Sequence, residues 1–195
     1  MAFVPEHIFR EYDIRGIADT ELTDEFVMSV GYAFGTWLLA RGVRKATLGG
    51  DVRLSTTRIK AAAAAGMMKA GISVTDIGFV STPTFYWSMY HLGADGGLMV
   101  TGSHNPKEFN GLKVAYDKAT LWGDDIREIM RIIKEDRMVT ADDPGSLRFA
   151  GINEEYLDML VSKIKLGPRK PKIVCDSGNG TAGIYAPRIP AEDRL

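Results

Sequence analysis

Gly97-Leu98-Met99-Val100-Thr101-Gly102-Ser103-His104-Asn105-Pro106, with Gly111-Leu112-Lys113-Val114-Ala115-Tyr116 close behind it, sets the architecture. The run from Gly97 to Val100 reads as a short strand of the buried type. It passes directly into a loop that carries Pro106, Asn110 and Gly111, after which Gly111 to Tyr116 reads as a second strand. A parallel crossover needs a dozen or more residues and usually a helix, so the short link from Val100 to Gly111 predicts an antiparallel pair.

Upstream, apolar residues recur at spacings of three and four through Phe26, Val30, Phe34, Trp37 and Leu38. Thr23 or Asp24 can cap their start and Gly42 stops them, giving a helix from about Asp24 to Arg41. Ala46 to Gly49 reads as a strand. Leu54-Ser55-Thr56-Thr57 then caps an alanine-rich helix ending at Gly71, and Ile72 to Ile77 forms the next strand. Pro83 opens a third helix that ends at Gly93. Downstream, Ile126, Ile129, Met130 and Ile133 mark an amphipathic helix. Thr140 to Ser146 has the composition of a linker, and it is followed by a helix from Asn153 to Lys165 and a strand from Lys172 to Cys175. Strands alternating with helices predict an α/β layered domain with a mixed, mostly parallel sheet. The expected organisation is a first domain over residues 1–148, with residues 149–195 forming a linker helix and the start of a second domain of the same type.

The composition narrows the functional classes. The 195 residues hold 24 basic and 25 acidic side chains, so no bulk field points to nucleic acid or an anionic membrane, and any anion recognition must be local. One cysteine, Cys175, excludes an internal disulfide and a cysteine-based zinc site and fits a reducing, cytoplasmic compartment. No apolar run approaches the roughly 18 residues of a membrane span, and charged residues occupy the place of a signal peptide's apolar region.

Ser103 sits on a glycine-preceded turn at the carboxyl end of a strand, where open α/β folds bind ligands. Spacing alone leaves two readings open, a nucleophile beside His104 or an ordinary Ser/Asn turn. Gly-x-Ser-x-Gly and the P-loop motif are both absent. His7, His91 and His104 lack metal-ligand spacing. The acidic pairs Asp124-Asp125 and Asp142-Asp143 read as a helix start and a turn. Phe9-Arg10-Glu11-Tyr12-Asp13-Ile14-Arg15-Gly16 is either a solvated arm or an anion-recognition segment, since guanidinium is a bidentate fork for phosphate. Gly178-Asn179-Gly180-Thr181-Ala182-Gly183 matches a dinucleotide fingerprint in form, but Pro187 and Pro190 interrupt the helix that should follow, so it reads as a tight strand-to-helix turn.

Together, FREYDIRG, GGDVRLS at 49–55, TGSHNP at 101–106 with NGLKV at 110–114, and DSGNGTAG at 176–183 resemble the α-D-phosphohexomutases. Within them the closest likeness is to the bacterial and archaeal phosphomannomutase/phosphoglucomutase branch, over residues 7–189. The resemblance implies an isomerase that reversibly moves a phosphoryl group between O1 and O6 of a glucose or mannose phosphate, through a phosphoserine and a hexose 1,6-bisphosphate. It implies Ser103 as the phosphoserine, whose phosphate oxygen also binds Mg²⁺, and Lys113 as general acid or base. It further implies Arg15 beside the phosphoserine, Tyr12 lining the substrate cleft, Arg15 and Lys113 binding substrate, and His104 supporting the loop. The family's metal loop, sugar-recognition loop and distal phosphate-binding domain have no counterpart among these residues, so the chain is expected to be an N-terminal portion inactive alone. The alternatives are a phosphoglucosamine mutase fragment, disfavoured by Tyr12-Asp13 and Gly102, and a non-catalytic phosphoprotein or interaction domain keeping the fold.

Overall fold

Thr23 opens the first long helix: its hydroxyl accepts a hydrogen bond from the Phe26 N–H at 3.3 Å, and Asp24 and Glu25 occupy the first turn, where the helix dipole favours carboxylates. In the computed structural model, which describes residues 4–165, 167–169 and 172–189, the elements run β1 (Ile14–Ile17), α1 (Asp24–Leu39), β2 (Lys45–Gly50), α2 (Thr56–Ala70), β3 (Ser73–Phe79) and α3 (Thr82–His91). They continue as β4 (Gly96–Val100), β5 (Phe109–Tyr116), β6 (Ala119–Thr120), α4 (Asp124–Lys134), β7 (Leu147–Phe149) and α5 (Asn153–Lys163).

The strands form one sheet in the order β1-β5-β4-β2-β3-β7, with β6 added to β5. Along that order three of the five pairings are parallel, and the β4–β5 pair is antiparallel as its short loop requires. Helices cover both faces. The larger core lies between the sheet and α1, α2 and α4, and includes Phe34, Trp37, Ile59, Met67, Leu98, Leu112, Val114 and Ile129. On the other face Phe85 and Met89 of α3 close over Ile77, Met99 and Ala115. The close packing of α1 on α2 depends on Gly66, where a Cβ would run into the Met28 carbonyl and the Tyr32 amide.

The structure departs from the sequence reading at four places. Ile14–Ile17 is a strand paired with β5 and not a solvated arm, because Ile14 is fully buried and the Arg15 charge is neutralised locally. Leu147–Phe149 leaves the linker-like segment to add a parallel strand to β3. Ser55 does not cap α2 with its side chain; its hydroxyl instead accepts from Asn110 Nδ2 at 2.9 Å. Lys172–Cys175 is not a strand, since Ile173 and Val174 are exposed and no neighbouring strand takes its backbone groups among the described residues. The glycine-rich stretch after it leads only into a single 3₁₀ turn, Thr181–Ile184, so the helix that a nucleotide fingerprint requires is not formed there. The helix break read at Pro190 to Leu195 lies outside the described residues.

The segment after β7 packs back on the domain. Tyr156 of α5 sits 5.5 Å from Trp87 of α3 and 5.7 Å from Tyr185, whose hydroxyl donates to Asn153 Oδ1 at 2.7 Å. Burial pushes the Tyr156 phenol above its ordinary pKa. Near β1, the Ile17 N–H donates to Glu21 at 2.6 Å and, with His7, holds that carboxyl below its ordinary range.

Candidate active site

Register brings the scattered motifs to one end of the sheet. Strand β5 lies between β1 and β4: Arg15 stands opposite Gly111, Ile14 opposite Leu112, and Val100 opposite Leu112 from the other side. The Thr101 N–H donates to the Gly111 carbonyl at 2.9 Å, so the chain leaves β4 beside Arg15. Alternation along β5 puts Gly111 and Lys113 on one face; Arg15 of β1 stands opposite Gly111, and Asp13, just before β1, reaches both Arg15 and Lys113. Asp13, Arg15, the Ser103 loop and Lys113 therefore share a neighbourhood although 100 positions separate Asp13 from Lys113.

Ser103 is exposed and adopts a left-handed backbone with φ of 52°. For a residue with a Cβ that conformation costs about 1–2 kcal/mol, so surrounding bonds must impose it. The sharp turn also makes neighbours meet: Ser103 Oγ lies 3.2 Å from His104 Nδ1. Adjacent side chains seldom face one another in regular structure, and the pairing here follows from the turn. The Ser103 N–H donates to Thr101 Oγ1 at 3.0 Å, and both the Asn105 N–H and its side-chain amide donate to the Gly102 carbonyl.

Two arginines serve the loop differently. Arg53 directs Nη1 to the carbonyls of Pro106 and Phe109 at 2.6 and 2.8 Å, and Nη2 to those of Ser103 and Asn105 at 3.2 and 2.5 Å. Its Nε lies 3.5 Å from Asp51 Oδ2. A guanidinium has five N–H donors, and the four on the Nη atoms of Arg53 all go to loop carbonyls, while Nε stays within ion-pair range of Asp51. Asp51, itself buried, accepts from the Gly102 N–H at 2.9 Å, the Arg53 N–H at 3.0 Å and the Thr56 hydroxyl at 2.6 Å. Gly102 leaves the room that the Arg53 guanidinium occupies, since a Cβ there would displace it.

Arg15 is only 5% exposed. It donates from Nη1 to the Gly102 carbonyl at 3.1 Å and from Nη2 to Asp13 Oδ2 at 2.5 Å, while its buried Nε has no acceptor among the described residues. Asp13 Oδ2 also lies 4.0 Å from Lys113 Nζ, tying the two cations together. Arg15 thus keeps unused donors one residue from Ser103, whereas the Nη donors of Arg53 are all taken by loop carbonyls. Tyr12 is 62% exposed beside them. Three cations against the two carboxylates Asp13 and Asp51 make the neighbourhood locally positive within a nearly neutral chain.

Of the five residues singled out from the sequence, Arg15, Ser103, His104 and Lys113 are linked here directly or through Gly102 and Asp13, and Tyr12 is the exposed chain neighbour of Asp13. Asp51, Arg53 and Asn110 are added by the structure; the fully buried Asn110 side chain bonds both Ser55 and Thr56, joining the β5 start to the α2 start. The signal available for the first pair was an Asp and an Arg two residues apart at the end of a strand. A cavity of about 210 Å³ lined by Lys45, Ser73, Thr75 and Arg148 holds none of these residues. Among the described residues no group of three or more His, Cys, Asp or Glu is placed to hold a metal ion, so the side chains present do not by themselves form a Mg²⁺ site.

The description "Phosphoglucomutase/phosphomannomutase, alpha/beta/alpha domain I" matches residues 6–140, a span that includes every residue of this site. The chain belongs to the phosphoglucomutase/phosphomannomutase family. It is 36% identical over 189 residues to a phosphoglucomutase of Neisseria gonorrhoeae, covering 97% of this chain and 41% of that protein. With a phosphomannomutase of Escherichia coli it shares 40% identity over 181 residues, covering 90% of this chain and 39% of the relative. A solved structure of a phosphoglucomutase/phosphomannomutase family protein from Burkholderia thailandensis superimposes with a TM-score of 0.89 at 35% identity, over 96% of this chain and 42% of that one. The chain thus spans about two-fifths of the length of the curated phosphoglucomutases and phosphomannomutases it matches. No helix among the described residues is long and apolar enough to cross a membrane.

Proposed function

We propose that this chain supplies the phosphoserine-bearing portion of a phosphomannomutase/phosphoglucomutase, with Ser103 as the residue that gives and recovers the phosphoryl group. The observation that carries this reading is the contrast between the arginines: Arg53 spends its Nη donors on the loop's carbonyls, while Arg15 retains donors beside an exposed, strained serine.

In the forward step the bond from phosphorus to Ser103 Oγ breaks as a bond from phosphorus to a sugar hydroxyl forms. The hydroxyl proton passes to a base and the Ser103 oxygen is left to be reprotonated or rephosphorylated. Lys113, held near Asp13, is assigned the acid/base role, and Arg15 the stabilisation of charge on the transferring group. His104 Nδ1 orients the Ser103 oxygen, and Tyr12 meets the sugar. The second phosphoryl group of the hexose 1,6-bisphosphate then returns to Ser103, which completes a net O1/O6 exchange on glucose or mannose phosphate. Mg²⁺, when bound, supplies charge neutralisation; this chain would offer it only the phosphate oxygen on Ser103, and its other ligands would come from outside the described residues. The family relation supports residues 1–148 as the phosphoserine domain and 149–195 as the start of a second.

The chain alone is expected to give no turnover. Joined to the part of the E. coli phosphomannomutase that lies beyond the match, it should interconvert hexose 1- and 6-phosphates, and Ser103→Ala should abolish that activity. Full activity in the Ser103→Ala protein contradicts the assignment.

A further inference from the structure

We infer that Arg53, backed by Asp51, is a positioning residue for phosphoryl transfer at Ser103: it holds the loop's carbonyls so that the serine keeps its left-handed conformation and presents Oγ beside Arg15. This inference rests on the reading of Ser103 as the phosphoacceptor.

Four carbonyls, from Ser103, Asn105, Pro106 and Phe109, converge on one guanidinium, and no regular strand or helix satisfies them. Arg15 takes a fifth, that of Gly102, and Asp51 takes the Gly102 N–H. The loop's own backbone bonds, Asn105 N–H to the Gly102 carbonyl and Phe109 N–H to the Pro106 carbonyl, each close only a local turn, and Arg53 is the group that ties four of its carbonyls together. With its four Nη donors spent on loop carbonyls and its Nε turned toward Asp51, Arg53 acts through Ser103 and not on the ligand. Its contribution is geometric as well as electrostatic: an ammonium has three donors and no planar fork, so Arg53→Lys keeps the charge and loses the frame. Gly102 completes the device by leaving room for the guanidinium under the loop.

The test follows phosphate appearance on Ser103 by intact mass when the chain, joined to the part of the E. coli phosphomannomutase that lies beyond the match, is mixed with glucose 1,6-bisphosphate and Mg²⁺ over a range of bisphosphate concentrations. For Arg53→Lys the maximal rate should fall about a hundredfold, the size expected when a reacting atom is displaced by about 1 Å. The half-saturating concentration should stay within about threefold, whereas loss of a phosphate-binding donor would raise it. Amide hydrogen exchange of the 101–110 segment should speed at least about tenfold while the strands keep their protection. If Arg53→Lys fails to fold, Asp51→Asn replaces it, with the same direction and a smaller effect. A wild-type maximal rate in the variant, or an unchanged exchange rate in 101–110, overturns the inference while leaving the phosphoserine reading intact. No phosphate on Ser103 in the unsubstituted joined protein overturns that reading, and the inference with it.

Discussion

Replacing Asp51 by alanine strands several donors at once, and the structure fixes how many. The carboxylate is 7% exposed and accepts from the Gly102 N–H, the Arg53 N–H and the Thr56 hydroxyl at 2.9, 3.0 and 2.6 Å. The Gly102 N–H and the Thr56 hydroxyl are buried, while the Arg53 N–H is only partly so and recovers water. A buried donor left without an acceptor costs about 1–3 kcal/mol, so two of them predict a loss of about 4 kcal/mol for Asp51→Ala. Asp51→Asn keeps one carbonyl oxygen and turns an amide N–H₂ toward the remaining donor, for an expected loss of about 2 kcal/mol. Urea unfolding followed by circular dichroism measures both, and a shift in midpoint at unchanged slope identifies a change in stability alone. A loss below about 1 kcal/mol for alanine, or an asparagine as costly as alanine, refutes the account of Asp51 as the acceptor at the foot of the loop.

Three other outcomes follow from the packing and the ionisable groups. Gly66→Ala gains roughly 1 kcal/mol of helix propensity but forces a Cβ into the backbone of α1. The clash wins, and the thermal midpoint should drop by more than about 4 °C, from the roughly 2–4 °C per kcal/mol expected at this chain length. Burial raises the Tyr156 phenol, so its neutral form is favoured by folding: that contribution is full below the unfolded phenol's pKa of about 10 and is lost as pH rises through the folded value. Alkaline titration of phenolate absorbance should show one late tyrosine that Tyr156→Phe removes. The Glu21 carboxyl is lowered chiefly by the Ile17 N–H, so its stabilising effect is present above the ordinary carboxylate pKa and is lost as pH falls through the folded value; Glu21→Gln should flatten acid unfolding in that range.

The elements built from local pattern were legible. Thr23, the three-and-four spacing of α1, Pro83 at the head of α3, and the short β4–β5 link each act within a few residues, and the structure places helices and strands where they point. Strand β1 was not read because Asp13 and Arg15 look like surface residues until they neutralise each other beneath the loop. Lys172–Cys175 errs the other way: it has strand composition, but composition does not provide a neighbouring strand. In the site, Ser103 and Arg15 were legible from their motifs. Asp51 and Arg53 were not, because their role depends on β2 lying next to β4, an adjacency that no local spacing encodes.

The most direct measurement of the central claim is where phosphate resides on this chain. The chain, joined to the part of the E. coli phosphomannomutase that lies beyond the match, is mixed with glucose 1,6-bisphosphate and Mg²⁺, its intact mass is recorded, and the added phosphate is mapped by peptide fragmentation, with the Ser103→Ala form of the same joined protein alongside. The account predicts a single phosphate, on Ser103, and none on the Ser103→Ala protein. Phosphate on another residue, equal phosphate on the Ser103→Ala protein, or none on either contradicts it.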